Sequence, residues 1–376
     1  MRCRFFRHEG SSLIPQKTSV ERCRAMEITK TKQSRRDQID FEHLGFGDVF
    51  SDHMLSMDYR DGEWAPPQIL PFGTIEVSPA ICSLHYGQII FEGLKAFYGR
   101  SGAIHLFRPE KYHERMNLSC RRLCIPEMEF SLFIGGLKEL IRLDKEWIPR
   151  KKGYSLYIRP FIFASDNFLG VKVSETYRYM VITSPVGAYY KEGMNPVRLM
   201  TCTEYIRAAR GGLGAAKTPA NYAATLLPAD EAKKKGFTQV LWLDGIERKY
   251  IEEVGTMNMA FLIDNELITP PLEGTILPGV TRDSVIHLAK EWKINVSERR
   301  ISIDEVYAAS KEGRLQEAFG TGTAAVISPV GEIHHEGKKI VINDNKIGPL
   351  AQNLYDEITG LHYGERVDRF GWIYTV

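Results

Sequence analysis

A chain of 376 residues is longer than one compact core requires, and a prior of about 100–200 residues per domain gives two domains. Hydrophobic residues at 43% and charged residues at 26% are ordinary for a globular protein and exclude a disordered or fibrous chain. A net charge of +2 supplies no long-range field, so neither nucleic acid nor a membrane surface is an expected partner, and no apolar run reaches the roughly 20 residues of a bilayer span.

Residues 1–36 hold ten Lys or Arg against three Glu and lack an apolar h-region, which excludes a secretory signal. A disordered basic tail, an extension ahead of a start at Met26 and an Arg-rich transit peptide all fit that composition. Folded sequence is expected from Ile39 onward. Over 64–107, short apolar runs broken by Gly, Pro and Ser read as strands and turns. A helix is expected over 109–123, opening with Pro at its first turn. Another is expected over 131–147, with Leu132, Phe133, Leu137, Leu140 and Ile141 at helical spacing. Segments 155–163 and 177–183 are β-rich, so the first half reads as α+β with an antiparallel sheet.

The Gly- and Tyr-dense segment 186–196 (VGAYYKEGMNP) reads as an interdomain connection. Beyond it, strands are expected near 197–201, 239–243, 258–263 and 324–328, and helices over 220–235, 282–291, 303–312 and 350–361. The expected division is a basic, disordered extension over 1–38, a small N-terminal domain over 39–187, a loop over 188–196 and a large C-terminal domain over 197–376. The six cysteines are scattered, with no CxxC pair, so neither a disulfide framework nor a zinc or other metal site is expected, and a reducing, cytoplasmic compartment fits.

HExxH, GxxxxGK[ST] and GxSxG are all missing from the sequence. Gly320-Thr-Gly-Thr-Ala-Ala325 matches GxGxxA, yet a dinucleotide fingerprint sits between a strand and a helix, and the residues that follow here are strand-like. Small and hydroxyl residues in a tight turn equally suit a phosphate or carboxylate held by N–H groups. In Gly211-Gly-Leu-Gly-Ala-Ala-Lys217-Thr-Pro-Ala-Asn-Tyr222 a single lysine stands among small residues. Alone it reads as a solvated loop lysine; partly desolvated, it is a nucleophile. Tyr250-Ile-Glu-Glu253-Val-Gly-Thr256-Met-Asn258 places acids before a Gly-Thr turn, where a carboxylate is ordinarily a satisfied strand-end acid. Together the three segments fit one cofactor: pyridoxal phosphate needs an imine-forming lysine, a carboxylate opposite its pyridine nitrogen and a phosphate cup.

FSDHM (50–54), LHYGQIIFEGLKAF (84–97), LFRP (106–109), YIRP (157–160), VGAYY, AAKTPANY, EEVGTMN, ILPGVTR (276–282) and FGTGTAA occur in that order. With these motifs, nearly everything from 39 to 376 resembles the fold-type IV pyridoxal-phosphate aminotransferases, and within them the branched-chain amino acid aminotransferases. The resemblance implies an α+β, two-domain fold of the D-amino-acid-aminotransferase type. Its N-terminal α/β domain is the smaller, and its larger C-terminal domain is barrel-like with flanking helices. It implies ping-pong transfer of an amino group between leucine, isoleucine or valine and 2-oxoglutarate. Related D-amino-acid aminotransferases, amine transaminases and aminodeoxychorismate lyases share the lysine and glutamate, but the LHYG…FEGLKAF and YIRP motifs argue against them. A dehydrogenase rests on GTGTAA alone, and a non-catalytic scaffold is disfavoured because every residue the chemistry needs is present.

At matching positions the resemblance implies that Lys217 carries the cofactor and moves the proton. Glu253 faces the pyridine nitrogen, and Tyr222 faces the ring 3′ oxygen. Arg108, Thr256, Thr323 and the N–H groups of Val280 and Thr281 hold the phosphate, with Arg207 supporting from nearby. Phe46, Tyr86, Phe91, Tyr157, Tyr189 and Tyr222 wall the substrate pocket, Arg159 meets the distal carboxylate of glutamate, and the turn at Thr323-Ala324 takes the α-carboxylate. Tyr86, Leu169 and Val171 come from a neighbouring subunit, which implies a homodimer. Some animal members carry a CxxC pair where this chain has Ala325-Val-Ile-Ser328, so that redox switch is not expected, and Cys120 and Cys124 read as core thiols.

Overall fold

The computed structural model describes residues 26–187 and 194–376. Two sheets organise them. The first is built from β1 (Glu27–Ile28), β2 (His53–Arg60), β3 (Glu63–Trp64), β4 (Gln68–Pro71), β5 (Ile89–Phe91), β6 (Leu94–Tyr98), β7 (Ile104–Phe107), β8 (Ser155–Ala164) and β9 (Tyr177–Val186). Its order is β1-β4-β2-β9-β8-β6-β7, antiparallel apart from the parallel β1–β4 pair, with β5 also on β8. Helix α1 (Cys82–Tyr86) leads into β5, while α2 (Pro109–Arg122) and α3 (Phe130–Leu143) cover one face of the sheet. Pro109 opens α2, where its missing N–H is one the helix leaves unpaired anyway. Met116, Phe133, Leu137 and Leu140 from these helices are fully buried against Leu55, Leu94 and Ile158. The period-2 pleat of β8 keeps Leu156 and Ile158 in that core and turns Tyr157 and Arg159 to the opposite face.

The second sheet contains β10 (Val197–Cys202), β11 (Gln239–Leu243), β12 (Ile251–Val254), β13 (Met257–Ile263), β14 (Glu266–Thr269), β15 (Asn295–Glu298), β16 (Leu315–Gly322), β17 (Val326–His335) and β18 (Lys338–Val341). Its order β12-β11-β10-β17-β16-β13 returns on itself through the β12–β13 pair, closing a six-stranded barrel. An apolar cluster including Leu199, Val254, Phe261 and Ile333 fills it. Between β10 and β11 lie α4 (Pro219–Ala223) and α5 (Leu226–Lys234); α6 (Val280–Glu291), α7 (Ile303–Lys311) and α8 (Pro349–His362) follow in the chain. Leu288, Leu354 and Ile358 of α6 and α8 pack a further cluster with Phe319 and Ile327. Ser302 caps α7 by accepting from Glu305 N at 3.0 Å.

Four departures from the sequence expectations have physical causes. Residues 27–38 are not a loose tail: β1 pairs with β4, Thr31 N donates to His53 Nε2 at 2.9 Å, and Ser34 Oγ and Arg35 N donate to Asp52 at 2.5 and 3.0 Å. The segment docks through polar contacts, which hydrophobic periodicity does not register; residues 1–25 lie outside the described residues. The helix expected over 220–235 is split in two. Pro228 has no N–H for the carbonyl of Ala224, and Thr225 Oγ1 donates to Tyr222 O at 2.7 Å instead. The strand expected from Ala324 starts at Val326, because residues 323–325 form the turn. The last strand, β19 (Ile373–Thr375), leaves the second half and pairs with β7. Of the expected connection, 188–193 lies outside the described residues, and Met194 packs on the α6–α8 cluster.

Tyr179 is 1% exposed, and its hydroxyl has no hydrogen-bond partner among the described residues. Removing an orphaned buried hydroxyl without changing shape is favourable, so Tyr179→Phe should raise stability by about 1 kcal/mol in urea unfolding. A loss of that size would show that the hydroxyl is satisfied.

Candidate active site

A cavity of about 260 Å³ opens at the seam between the two sheets, lined from both halves of the chain. Lys217 enters it on the loop between β10 and α4. Its main chain is gripped by the first half: Lys217 N donates to Ser119 Oγ at 2.9 Å and Phe91 N donates to Lys217 O at 3.0 Å. Next door, Thr218 Oγ1 donates to Ile89 O at 2.8 Å. Asn221 Nδ2 closes the loop on the carbonyls of Leu213 and Ala216, both at 2.8 Å. With its backbone fixed, Lys217 donates from Nζ to the Tyr222 hydroxyl at 2.7 Å and lies over the Phe91 ring at 4.8 Å.

Glu253 sits on β12 beside the Gly255-Thr256 turn, in register with Asn258 of β13, and is 2% exposed. Arg207 Nε lies 2.9 Å from one carboxylate oxygen, and Leu277 N donates to the other at 2.8 Å. Burial pushes this carboxyl up, while the Arg207 guanidinium and the Leu277 N–H pull against it. Arg207 is itself tied to Thr275 O at 2.8 Å. Glu253 is therefore a fixed acid behind Leu277 and Asn258 of the cavity wall, a carboxyl suited to share a proton with a ring nitrogen.

The other end of the cavity collects donors for an anion. Val280 and Thr281 begin α6, whose first N–H groups have no intrahelical acceptor. The preceding residue, Gly279, is required because a Cβ there would overlap Asn258 Oδ1. Thr256 and Thr323 line the same end, and Thr323 Oγ1 lies 3.0 Å from the Tyr112 hydroxyl. Thr321 Oγ1 is buried at the cavity without a partner among the described residues. Arg108 stands apart from the cavity wall. Held in the left-handed region at φ 49°, it donates to Ser284 Oγ at 2.6 Å and to Asp283 at 2.5 Å on the first turn of α6, with Trp372 stacked below. The orphaned hydroxyl, the neighbouring threonines and the helix N-terminus together form a donor set that fits a phosphate ester, and Arg108, expected to hold that phosphate, is instead bonded to Ser284 and Asp283.

Phe46 meets Tyr157 edge-on at 5.0 Å, and Phe91 meets Tyr222 at 4.9 Å, giving the apolar walls. Between them Arg159 stacks on Phe91 and Tyr157, donating from Nη2 to the Tyr157 hydroxyl at 3.2 Å. Its Nε is buried and unpartnered, and among the described residues no carboxylate lies within ion-pair distance. Ala324 completes the wall at the turn. That turn joins β16 to β17 in an antiparallel hairpin, with Gly322 opposite Val326, so GTGTAA is not a strand–helix dinucleotide fingerprint.

Sequence reasoning missed several members of the site. Lys95 lies on the β6 face that continues from Phe91 and Gly93, and its Nζ donates to Ala324 O at 2.7 Å. Burial pushes this amine down to about 8. Arg115 reaches the cavity while bound to the fully buried Glu92 by two bonds of 2.8 Å. The alternation of FEGLK could have flagged Lys95; nothing in the sequence marks Arg115. Within one chain Tyr86, Leu169 and Val171 are not brought to the cavity: they lie on the surface, Val171 82% exposed, with the Tyr86 hydroxyl donating to Leu169 O. Tyr189 lies outside the described residues. Of the two neighbouring cysteines, Cys120 is buried, its thiol pushed up to about 12, whereas Cys124 is exposed and not a core thiol.

Residues 89–333 match the amino-transferase class IV family. Branched-chain-amino-acid aminotransferase 2 of Bacillus subtilis is 53% identical over 92% of this chain and 95% of its own. The Mycolicibacterium smegmatis branched-chain-amino-acid aminotransferase is 45% identical over 88% and 91%. Among solved structures, the Escherichia coli branched-chain amino acid aminotransferase superposes with a TM-score of 0.72 at 29% identity, covering 86% of this chain and 98% of its own. The branched-chain aminotransferase of the thermophilic archaeon Thermoproteus uzoniensis, solved with norvaline, gives 0.71 at 25%, covering 85% and 98%. The lysine, buried glutamate and anion cup therefore stand in the fold of these enzymes, and the chain belongs to the class IV aminotransferases, in the branch of the branched-chain-amino-acid aminotransferases.

Proposed function

We propose that the protein binds pyridoxal 5′-phosphate and transfers an amino group from L-leucine, L-isoleucine or L-valine to 2-oxoglutarate, and back. The observation that carries the substrate assignment is Arg159: a guanidinium with no carboxylate partner among the described residues, set between aromatic faces in the cavity that receives Lys217. An aliphatic side chain packs on those faces, and the distal carboxylate of glutamate pairs with the guanidinium. The same cavity residues fit the cofactor at both ends.

When bound, the cofactor supplies an electron sink that makes the amino acid Cα–H acidic. Lys217 Nζ takes that proton and returns it, since it is the amine that reaches the cavity. Glu253 would hold a proton on the cofactor's ring nitrogen, and Tyr222 orients Nζ. The phosphate would be held by the N–H groups of Val280 and Thr281 and the hydroxyls of Thr256, Thr321 and Thr323, with Arg108 stiffening the α6 turn behind them. The Thr323-Ala324 turn, backed by Lys95, takes the α-carboxylate. Phe46, Phe91 and Tyr157 exclude water. The exposed Tyr86, Leu169 and Val171 would complete the pocket of a second copy in a homodimer.

The cofactor-loaded protein should show a visible band that L-leucine bleaches and 2-oxoglutarate restores; a band indifferent to leucine would overturn the substrate assignment. Lys217→Ala should keep the fold by circular dichroism and lose turnover by at least about 1,000-fold. Arg159→Met should slow the glutamate half-reaction by about 10–100-fold while sparing the leucine half-reaction, and equal losses would make Arg159 structural. Lys95 carries its charge below about pH 8 and loses it above. The kcat/KM advantage of wild type over Lys95→Met should therefore be largest below pH 8 and shrink as pH rises through 8; a constant ratio would show that the charge does not act.

A further inference from the structure

We propose that one face of α2, carrying Tyr112, Arg115 and Ser119, is the positioning element that sets the three second-half segments of the site in register with the first half. The three positions are spaced i, i+3 and i+7, so they lie along a single stripe of the helix. Each reaches a different segment. Tyr112 meets the hydroxyl of Thr323 in the turn, at 3.0 Å. Arg115 Nη1 donates to Pro278 O, just ahead of α6, at 3.2 Å. Ser119 Oγ accepts from Lys217 N at 2.9 Å.

The stripe is itself braced. Arg115 is clamped by both oxygens of Glu92, which also accepts from Gly93 N at 3.1 Å, and its guanidinium lies over the Tyr112 ring at 5.2 Å. Ser119, fully buried, donates its hydroxyl proton to Arg115 O at 3.0 Å. That donation leaves the oxygen to accept from Lys217, so the bond to the lysine has a fixed sense. Either hydroxyl of the Tyr112–Thr323 pair can donate; an anion in the cavity would take the threonine proton and leave Tyr112 to donate to Thr323 Oγ1. Ser119 thus places the lysine and Tyr112 aims a phosphate donor, neither touching a reacting atom. The inference rests on the cofactor reading above.

The test compares wild type with Tyr112→Phe, Ser119→Ala and, as a control, Tyr179→Phe, which deletes a buried hydroxyl in the same half without touching the second. Two readouts use the cofactor-free protein: equilibrium binding of pyridoxal phosphate, and amide hydrogen exchange at Lys217. Loss of one neutral hydrogen bond corresponds to about 2–10-fold. Tyr112→Phe should raise the dissociation constant by that factor. Ser119→Ala should speed Lys217 exchange similarly and, once loaded, lower kcat more than it raises KM. Tyr179→Phe should match wild type on all three. Wild-type values for both α2 variants would overturn this inference while leaving the cofactor reading intact. Wild type that takes up no pyridoxal phosphate would overturn both.

Discussion

The site depends on a carboxylate that is almost entirely out of water. Glu253 is 2% exposed, and the effective penalty for burying an ion is several kcal/mol unless it is paired and hydrogen-bonded. The pairing comes from Arg207 on the loop after β10 and Leu277 ahead of α6, both distant in sequence, and from Asn258 across the adjoining β12–β13 hairpin. Asn258 Nδ2 donates to Leu277 O at 2.9 Å, so the carbonyl beside the glutamate's donor is held as well. Closing the barrel through β12–β13 is what brings these groups together, and an open sheet would leave the acid exposed. The chemistry assigned to Glu253 and the closure of the fold are thus one constraint.

A second dependence links the halves. Lys217 belongs to the second half, but its amide and carbonyl are bonded to Ser119 and Phe91 of the first. β19 returns from the C-terminus to pair with β7, and Arg108 N donates to Trp372 O at 2.7 Å. Such reciprocal ties make the seam a shared structure, with the cavity walls fixed by both sheets. Sites held by packed elements on each side keep their geometry better than sites on one loop.

What the sequence discloses follows from how its signals work. β11 is legible to the residue, because a run of apolar residues bounded by polar ones has one reading. Lys217, Glu253 and Tyr222 are legible through their motifs, and Arg159 through YIRP. Arg115, Ser119 and Tyr112 are not: a helix face that is polar because it meets another polar surface resembles a solvated face. Lys95 is hidden for a related reason, since a lysine in a strand is read as an edge residue until something beneath it needs a donor. The docking of residues 27–38 escapes because it uses Asp52 and His53 in place of apolar burial. The split between α4 and α5 is available in Pro228 but outweighed by the apolar spacing around it.

If the pocket takes both substrates as proposed, the stacking of Arg159 resolves the conflict between them. A guanidinium is planar and weakly hydrated, and its faces pack on aromatic rings. Laid on Phe91 and Tyr157, it presents an edge to the cavity while its charge is stabilised from behind by the rings. An aliphatic side chain can then lie on the aromatic surface beside it without stranding an ion pair, because among the described residues the arginine has no carboxylate to lose. A glutamate side chain entering the same space supplies the missing carboxylate. Had Arg159 been paired with an acid in the wall, the aliphatic substrate would gain nothing and the acidic one would be repelled. On the proposed reading, a cation with no carboxylate partner among the described residues is what would let one cavity serve two chemically opposite side chains.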